Sequence, residues 1–189
     1  MPDELLDVVD DADLVIGQEL RAVVHQHGLQ HRGVHIFLIT PENKLVVQQR
    51  GRWRDTSPLA LDCSVSEHVK AGEGYRAAAL RGSAEELCLR GVKIHALIKF
   101  KMGYGPNDRQ ICQLYEGRVD PAQVRFDPVE VERIAYYSLD ELEELIRAGQ
   151  VAFSGWFNQL LQWYLGRPSI LQVLKSYSKK RLLLPEING

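Results

Sequence analysis

Hydrophobic and polar positions follow two different periods along the chain, one typical of strands and one of helices. Apolar residues dominate "VHIFLIT" and "LVVQQR" on either side of "PENK", which predicts a β-hairpin that lies centrally in a sheet. Two further strands are predicted for "VKIHALIKFKM" and "QICQLYEGRV", separated by the turn-rich "GYGPND". The segment "LLDVVDDADLVIG" predicts an N-terminal hairpin of two short strands around an acidic turn.

The helical period is found in the second half of the chain and in one segment near its middle. Apolar residues spaced three and four apart predict a helix over 75–89. In "SLDELEELIRAG", Ser138 as N-cap and Glu141 three residues later form a capping box, and Gly149 marks the end of the helix. A second amphipathic helix is predicted for "GWFNQLLQWYLG", and from Pro168 onward we expect one more short helix followed by a basic, mobile tail.

The order of these elements predicts the architecture. Strands, one helix, more strands and then helices indicate an α/β fold with a mixed sheet and helices packed on its faces. We expect a single domain over residues 1–189, in which 1–26 form the N-terminal hairpin extension. Residues 27–166 form the core, and 167–189 form the C-terminal helix and tail.

The composition is that of an ordinary globular domain, and it narrows the class of partner. The 189 residues are 25% charged and 45% hydrophobic with a net charge of −2, which gives no electrostatic reason to bind nucleic acid or an anionic membrane. No apolar run approaches the roughly 20 residues that span a bilayer, and the acidic start "MPDELLDVVDDADL" is unlike a signal peptide. Three widely spaced cysteines lack a metal-ligand spacing. We therefore predict a cytoplasmic protein without nucleic-acid or membrane partners.

One stretch carries candidate chemistry. Residues 66–89 read "SEHVKAGEGYRAAALRGSAEELCL", where two adjacent carboxylates, Glu85 and Glu86, follow Gly82 by about one helical turn. A glycine inside a helix costs about 1 kcal/mol relative to alanine, so its position needs a reason. A solvated helix face would explain the paired glutamates equally well, since such pairs are common.

This stretch resembles the Nudix box, G-x5-E-x7-R-E-U-x-E-E-x-G-U, in which U is a bulky aliphatic residue. With Glu85 and Glu86 set on the paired glutamates, five of nine positions match and four differ. The matching residues are Glu73, Arg81, Glu85, Glu86 and Leu89, and the differing ones are Glu67, Gly82, Ser83 and Cys88. Flanking segments such as "VVHQHGLQHRGVHIFLI" and "LDCSVSEHVKAGE" are similar to the branch related to isopentenyl-diphosphate isomerase. The resemblance covers roughly residues 5–165 and implies a Nudix-type α/β/α sandwich, with residues 66–74 as a loop over the helix N-terminus.

The resemblance also implies a metal site. In the family, glutamates at i, i+3 and i+4 share one helical face, and their oxygens suit Mg²⁺ or Mn²⁺. Here that face is Gly82, Glu85 and Glu86, so the first carboxylate is missing. We predict Glu85, Glu86 and Glu67 as metal ligands, with Glu86 and Glu67 as catalytic residues. Glu67 would return a carboxylate to a site that lost one at Gly82; its alternative is a surface substitution that damages the loop.

Other family positions suggest contacts to the substrate and bracing roles. We predict His31, Arg32, Arg50 and His68 as substrate-binding residues, although a surface or core role explains each of them equally well. His25, His31 and His68 stand close to the histidines that the isomerases place around a second metal. The resemblance assigns Arg81 and Glu73 to bracing the loop, and a plain helix pair of Arg81 with Glu85 is the simpler alternative.

These residues lead to two functional hypotheses of different classes. The first is a Mg²⁺-dependent Nudix hydrolase that cleaves a nucleoside diphosphate derivative or a similar small-molecule diphosphate, with activity impaired by the altered box. The alternative is a catalytically silent Nudix domain that binds a ligand or a partner, and a homodimer is compatible with either. An isopentenyl-diphosphate isomerase ranks below both. The expected Cys-Gly-His is Ser66-Glu67-His68 here, and the expected Glu-x-Glu is Asp108-Arg109-Gln110.

Overall fold

Ten strands and four helices form an α/β structure in the computed structural model, which describes residues 3–105, 107–178 and 181–184. The strands are β1 (Leu5–Val9), β2 (Val15–Leu20), β3 (His31–Ile39), β4 (Leu45–Arg50), β5 (Leu61–Asp62), β6 (Val65–His68), β7 (Ile94–Gly105), β8 (Asp108–Arg118), β9 (Val131–Tyr137) and β10 (Gln172–Ser176). The helices are α1 (Arg21–His27), α2 (Tyr75–Leu87), α3 (Leu139–Ala148) and α4 (Gly155–Tyr164).

The main sheet is mixed, as the order of elements predicts. Its eight strands run β10-β7-β8-β3-β4-β5, with β6 paired to β3 and β9 paired to β4. Strand β3 is parallel to β8 from His31 opposite Gln110 to Ile39 opposite Arg118. The predicted hairpin of β3 and β4 is present, but the two strands are in register at Ile39 and Leu45 and then diverge. They diverge because β6 takes the adjacent edge of β3, while β9 takes the edge of β4.

Hydrophobic clusters cover both faces of this sheet, which gives the three layers of the sandwich. One cluster packs α3 and α4 against the sheet, through side chains such as Leu142, Phe157 and Leu160. The other packs α2, through Ala78, Ala79 and Leu87. Because both faces are covered, β3 and β4 are buried almost throughout, although β4 ends in the polar residues Gln48, Gln49 and Arg50.

Three of the four predicted helices are confirmed. Helix α3 has the complete capping box between Ser138 and Glu141, and it ends at Gly149 in a left-handed conformation. Helix α2 runs unbroken through Gly82 and ends at Leu87, two residues before the predicted limit, with Cys88 as its C-cap. The N-terminal hairpin of β1 and β2 is also confirmed.

Two local predictions need correction, and two elements are missing from the predictions. Residues 66–68 belong to β6, which pairs with β3, so the predicted loop over 66–74 is shorter. The segment after Pro168 forms β10 rather than a helix, because the edge of β7 offers it unpaired backbone groups. Helix α1 and strand β9 were not predicted at all.

The predicted tail is docked wherever the structure describes it. The Arg181 guanidinium lies 4.3 Å from the centre of the Trp163 ring, and the backbone N–H of Leu182 donates to Glu116 at 2.9 Å. Leu182, Leu183 and Leu184 pack against the core cluster of α3 and α4. Residues 181–184 are therefore packed against the core rather than extended into solvent, and the rest of the predicted tail lies outside the described residues.

Within the described part of the chain, none of the helices combines the length and the apolar character needed to cross a membrane.

Candidate active site

Helix α2 carries the paired glutamates in two different environments. The Glu86 side chain is buried, whereas the Glu85 side chain is half exposed. Gln48 Nε2 donates to Glu86 Oε2 at 2.6 Å, and the backbone N–H of Ser66 donates to Oε1 at 3.3 Å. Burial, followed by the negative charge of Glu67, raises the pKa of Glu86 well above its usual range. A bound cation would reverse this cost, because it favours the ionised carboxylate.

Arg81 connects the loop before α2 to the helix itself. Its guanidinium donates to Glu67 at 3.0 Å, to Glu73 at 3.0 Å and to Glu85 at 2.9 Å. It also donates to the backbone carbonyl of His68 at 2.8 Å. The expected brace between Arg81 and Glu73 is therefore present, and so is the simple helix pair with Glu85. A single guanidinium holds three carboxylates beside one another.

Gly82 has a packing reason. A Cβ atom at this position would lie 2.9 Å from Val65 Cγ1, 3.1 Å from Glu67 Cβ and 3.3 Å from Glu67 Cγ. The Glu67 side chain therefore runs across the helix at the point where a residue with a side chain would project. Burial raises the pKa of Glu67, while the charge of Arg81 opposes that effect. Gly82 and Glu67 are complementary: the absence of one side chain makes room for the other.

These acids face a cleft of about 680 Å³. Glu67, Glu85 and Glu86 all line it, together with Arg50 and His68. The cleft is also lined by further acids, by three more cations and by two exposed apolar side chains. The further cations are Arg21, Arg54 and Lys70, and the apolar residues are Trp53 and Val129. A cleft lined by both acids and cations can hold a metal ion and an anionic substrate together.

Two of the predicted substrate-binding residues do not line this cleft. Arg32 turns towards the N-terminal hairpin, where its Nε donates to Asp13 at 2.6 Å. His31 is fully buried. Arg50 lines the cleft, but its guanidinium is largely occupied by Asp62 at 2.8 Å and by the backbone carbonyl of Thr56.

A histidine cluster lies at one end of the site. The rings of His25, His31 and His68 have centroids 5.1 to 5.4 Å apart, and each offers a nitrogen within 4.8 Å of the others. An Asp108 oxygen lies 3.8 Å from His31 Nε2 and 3.9 Å from His25 Nδ1. A second group of possible ligands with the same spacing consists of Glu4, Glu67 and His68.

The chemistry of this cluster suits a metal ion. Burial lowers the pKa of all three imidazoles, so they are neutral and can ligate. His31 Nδ1–H donates to the carbonyl of Leu29 at 3.0 Å, which leaves the lone pair of Nε2 free. That Nε2 atom and His25 Nε2 are buried without a hydrogen-bond partner among the described residues. His25, His31 and His68, with Asp108, could hold a divalent ion.

The residues at the two isomerase positions belong to a buried polar network. The Ser66 hydroxyl donates to Asp62 at 3.1 Å and accepts from His35 Nδ1 at 3.1 Å. His35 Nε2 then accepts from the Tyr104 hydroxyl at 3.1 Å. Gln110 is buried beside Cys112, whose thiol is 3.3 Å from Gln110 Oε1. A serine, a neutral histidine and an amide therefore stand where carbon protonation would need a thiol and a carboxylate.

Several residues of the cleft were not found from the sequence. Arg21 begins α1, which was not predicted, and Arg54 lies in the loop after β4. Lys70 and Glu4 meet across the cleft at 3.2 Å, far apart in sequence. Gly28, which caps α1 in a left-handed conformation, is the local sequence signal from which α1 could have been predicted. Predicting α1 would have located Arg21 at its first residue.

The three-layer sandwich and the paired glutamates at the end of α2 define the class of Nudix proteins. The sequence model of the NUDIX domain matches residues 29–157, and the chain belongs to the Nudix family. An uncharacterized Nudix hydrolase of Streptomyces coelicolor is 36% identical over 153 residues, 80% of this chain and 82% of that protein. The isopentenyl-diphosphate Delta-isomerase of the same organism is 30% identical over 175 residues, 89% of this chain and 86% of that enzyme.

Solved structures agree with this assignment. DR0079 from Deinococcus radiodurans matches with a TM-score of 0.73 and 28% identity, over 85% of this chain and 98% of that one. The NUDIX domain of Shewanella oneidensis NrtR, solved with ADP ribose, matches with a TM-score of 0.56 and 14% identity, over 71% and 85% of the two chains. The second match supports the fold alone.

Proposed function

We propose that this protein is a divalent-metal-dependent hydrolase of a nucleoside diphosphate derivative or a similar diphosphate. Mg²⁺ or Mn²⁺ would be held by Glu67, Glu85 and Glu86, with the carboxylate of Glu67 replacing the one missing at Gly82. One observation carries this proposal: the Glu67 side chain fills the space that Gly82 leaves empty, within 3.1 to 3.3 Å of its hypothetical Cβ. A carboxylate is thereby available on the same side of α2 as Glu86.

The acids and cations of the cleft have separate roles in this proposal. When bound, the metal ion would activate a water molecule and offset the charge of the diphosphate. Glu86 and Glu67 are the candidate bases, since Glu86 is buried, Glu67 is partly buried, and burial raises the pKa of both carboxyl groups. Arg54, which pairs with Glu130, and Lys70, which pairs with Glu4, are partly exposed in the cleft, and exchange of these partners would let them contact phosphate oxygens. Their position supports an anionic substrate.

The decisive experiment exchanges the two residues. We expect wild type to hydrolyse members of a nucleoside and sugar diphosphate panel with Mg²⁺, and Glu67→Gly to lose roughly 100-fold or more in kcat, as removal of a preorganised charge commonly does. Gly82→Glu alone would add little, because its side chain collides with Glu67. The double variant Glu67→Gly, Gly82→Glu restores the family residues at these two positions and removes the contacts with Glu67, while the contact of the new side chain with Val65 remains. It should therefore recover part of the activity that Glu67→Gly loses. Equal rates for wild type and the isosteric Glu67→Gln would contradict the role of Glu67.

Metal binding can be measured separately from turnover. Calorimetry with Mn²⁺ should show weak binding to wild type, because Mg²⁺ and similar ions held by few carboxylates need substrate phosphates to complete the coordination shell. Glu86→Gln should bind more weakly still. The same affinity in both proteins would remove Glu86 from the site.

A silent ligand-binding domain is the second candidate, and one observation favours it. Arg81 already pairs with Glu67, Glu73 and Glu85, while Glu86 has its own donors in Gln48 and Ser66. The acids are therefore stabilised without a metal ion. If neither wild type nor the exchanged variants bind Mn²⁺ or turn over any diphosphate, this candidate is the one that stands.

A further inference from the structure

Trp53 is the most exposed large apolar side chain of the described residues. Its relative exposure is 86%, whereas Trp156 is buried and Trp163 packs against the core. Trp53 also lines the cleft that contains Glu67 and Glu86. An exposed indole beside a polar site has a large apolar face without a partner, and such a face commonly binds something flat and apolar.

Val129 lies on a second loop that lines the same cleft, and it is 64% exposed. The loop of Trp53 and the loop of Val129 are tied together. The backbone N–H of Gly51 donates to the carbonyl of Glu130 at 2.9 Å, Arg54 pairs with the Glu130 carboxylate, and Arg52 Nε donates to Glu132 at 3.2 Å. These ties hold the two exposed apolar side chains on the wall of one cleft.

Gly51 makes this approach of the two loops feasible. A Cβ atom at Gly51 would lie 2.9 Å from the carbonyl oxygen of Val129 and 3.0 Å from that of Glu130. The Val129 loop is in turn fixed to α2, since the backbone N–H of Asp127 donates to the carbonyl of Glu86 at 3.2 Å. The wall that carries Trp53 and Val129 is thus connected by a hydrogen bond to Glu86, the candidate general base.

We propose that Trp53 and Val129 form the nucleobase subsite of this cleft, with the base stacked on the indole of Trp53. This inference rests on the proposed function and names the substrate class as nucleoside diphosphates rather than alkyl diphosphates. A planar base gains from one-sided stacking on an indole, which is sequence-tolerant because every base has a π-face. An alkyl chain gains mainly from enclosure of its apolar surface, which an indole that is 86% exposed does not provide.

The charges of the cleft agree with this arrangement. Arg54 follows Trp53 by one residue and also lines the cleft, as do Arg21 and Lys70. A ligand whose flat ring lies on Trp53 can therefore place an attached diphosphate among cations and close to the acids of α2.

The test compares three ligands that carry the same diphosphate group. ADP has a base, isopentenyl diphosphate has an alkyl chain, and methyl diphosphate has neither. Calorimetry with Ca²⁺ in place of Mg²⁺ measures binding without requiring turnover. We expect Trp53→Leu to weaken ADP binding about tenfold, equivalent to about 1.4 kcal/mol, and to leave the other two ligands unaffected. Trp53→Phe should retain most of the ADP affinity.

Phe126→Leu is the matched control, because Phe126 is an exposed aromatic residue outside the cleft lining; it should bind ADP like wild type. ADP should also quench tryptophan fluorescence in wild type and not in Trp53→Phe. Unchanged ADP affinity in Trp53→Leu, or an equal loss for all three ligands, would overturn the subsite. Binding of ADP that depends on Trp53, in a protein that hydrolyses nothing, would reject the hydrolase and keep the subsite.

Discussion

The glycine at position 82 is explained by its neighbour in space, Glu67, and not by the sequence of the helix around it. Helix propensity alone treats Gly82 as a defect that costs about 1 kcal/mol. In the folded protein, the same position is closed to any larger residue by Val65 and Glu67. Because interior side chains are close-packed, replacing Gly82 with a better helix former would create a clash with these two residues.

Gly82→Ala should therefore destabilise the protein, although alanine is the better helix former. Overpacking typically costs about 1–3 kcal/mol, which exceeds the gain in propensity. Urea denaturation would measure the change in unfolding free energy. The matched control is Gly155→Ala at the start of α4, where a Cβ atom meets nothing within 4 Å, and we expect it to be neutral or stabilising. A more stable Gly82→Ala would show that Glu67 does not pack there.

His35 makes a second prediction, on pH dependence. Burial lowers the pKa of His35 from 6.5 to about 4, so protonation favours the unfolded chain. The stability that neutral His35 contributes is fully present above pH 6.5 and is lost as the pH falls towards 4, by roughly 3 kcal/mol. His35→Gln should flatten the decline in unfolding free energy over this window, measured by urea denaturation at several pH values. His27→Gln, at an exposed position, should keep the wild-type slope, and an identical slope in His35→Gln would refute the assignment.

Elements with strong local signals were predictable, whereas those defined by distant partners were not. Helix α3 is predicted by its capping residues Ser138, Glu141 and Gly149, and β3 is predicted by the apolar run that ends it. Strand β9 and strand β10 become strands by pairing with β4 and β7. Their own sequences do not specify that pairing, because strand propensity depends mainly on neighbours.

The candidate site divides along the same line. The alignment with the Nudix box predicts Glu85 and Glu86 as site residues, because a helix fixes the relative positions of residues that are close in sequence. Arg21, Lys70 and Trp53 reach the cleft from three separate segments, and no local pattern links them. The pairing of Glu67 with Gly82 was partly predictable. The family pattern suggests that Glu67 replaces the carboxylate missing at Gly82, and the packing distances in the structure explain why the two positions depend on each other.

The two N-caps of the C-terminal helices should differ in their contribution to stability. The Ser138 hydroxyl accepts from the exposed N–H of Glu141, whereas the Ser154 hydroxyl accepts from Phe157 and also donates to buried Asp62 at 3.0 Å. Ser138→Ala should cost about 1 kcal/mol. Ser154→Ala should cost more, since it also removes a buried donor from a carboxylate. Thermal unfolding of both variants tests this order, and an equal loss would contradict it.

Membership of the Nudix family does not determine the reaction of this protein. Relatives with similar coverage include both Nudix hydrolases and isopentenyl-diphosphate isomerases. What separates them here is the buried network of Ser66, His35 and Tyr104, together with the amide of Gln110. Fold similarity is shared across these reactions, and the site decides between them.

We expect no interconversion of isopentenyl and dimethylallyl diphosphate by this protein. Proton transfer to and from carbon needs a suitable acid and base on opposite faces of the substrate, and Ser66 and Gln110 supply neither. An isomerase assay with Mg²⁺ and with Zn²⁺ would check this, with Ser66→Cys, Gln110→Glu as the variant that restores both groups. Turnover by wild type would show that other residues move the protons.

The anchorage of the N-terminal hairpin has a consequence for where this protein can be divided. The Asp13 carboxylate receives Arg32 from β3, Tyr75 from α2 and Lys99 from β7. Three separate parts of the sandwich thus depend on one acid that lies upstream of residue 29, where the family match begins. A chain shortened to that boundary would leave two partly buried cations without this counter-ion. The segment that the NUDIX domain model matches is therefore smaller than the segment whose charges are paired in the folded protein.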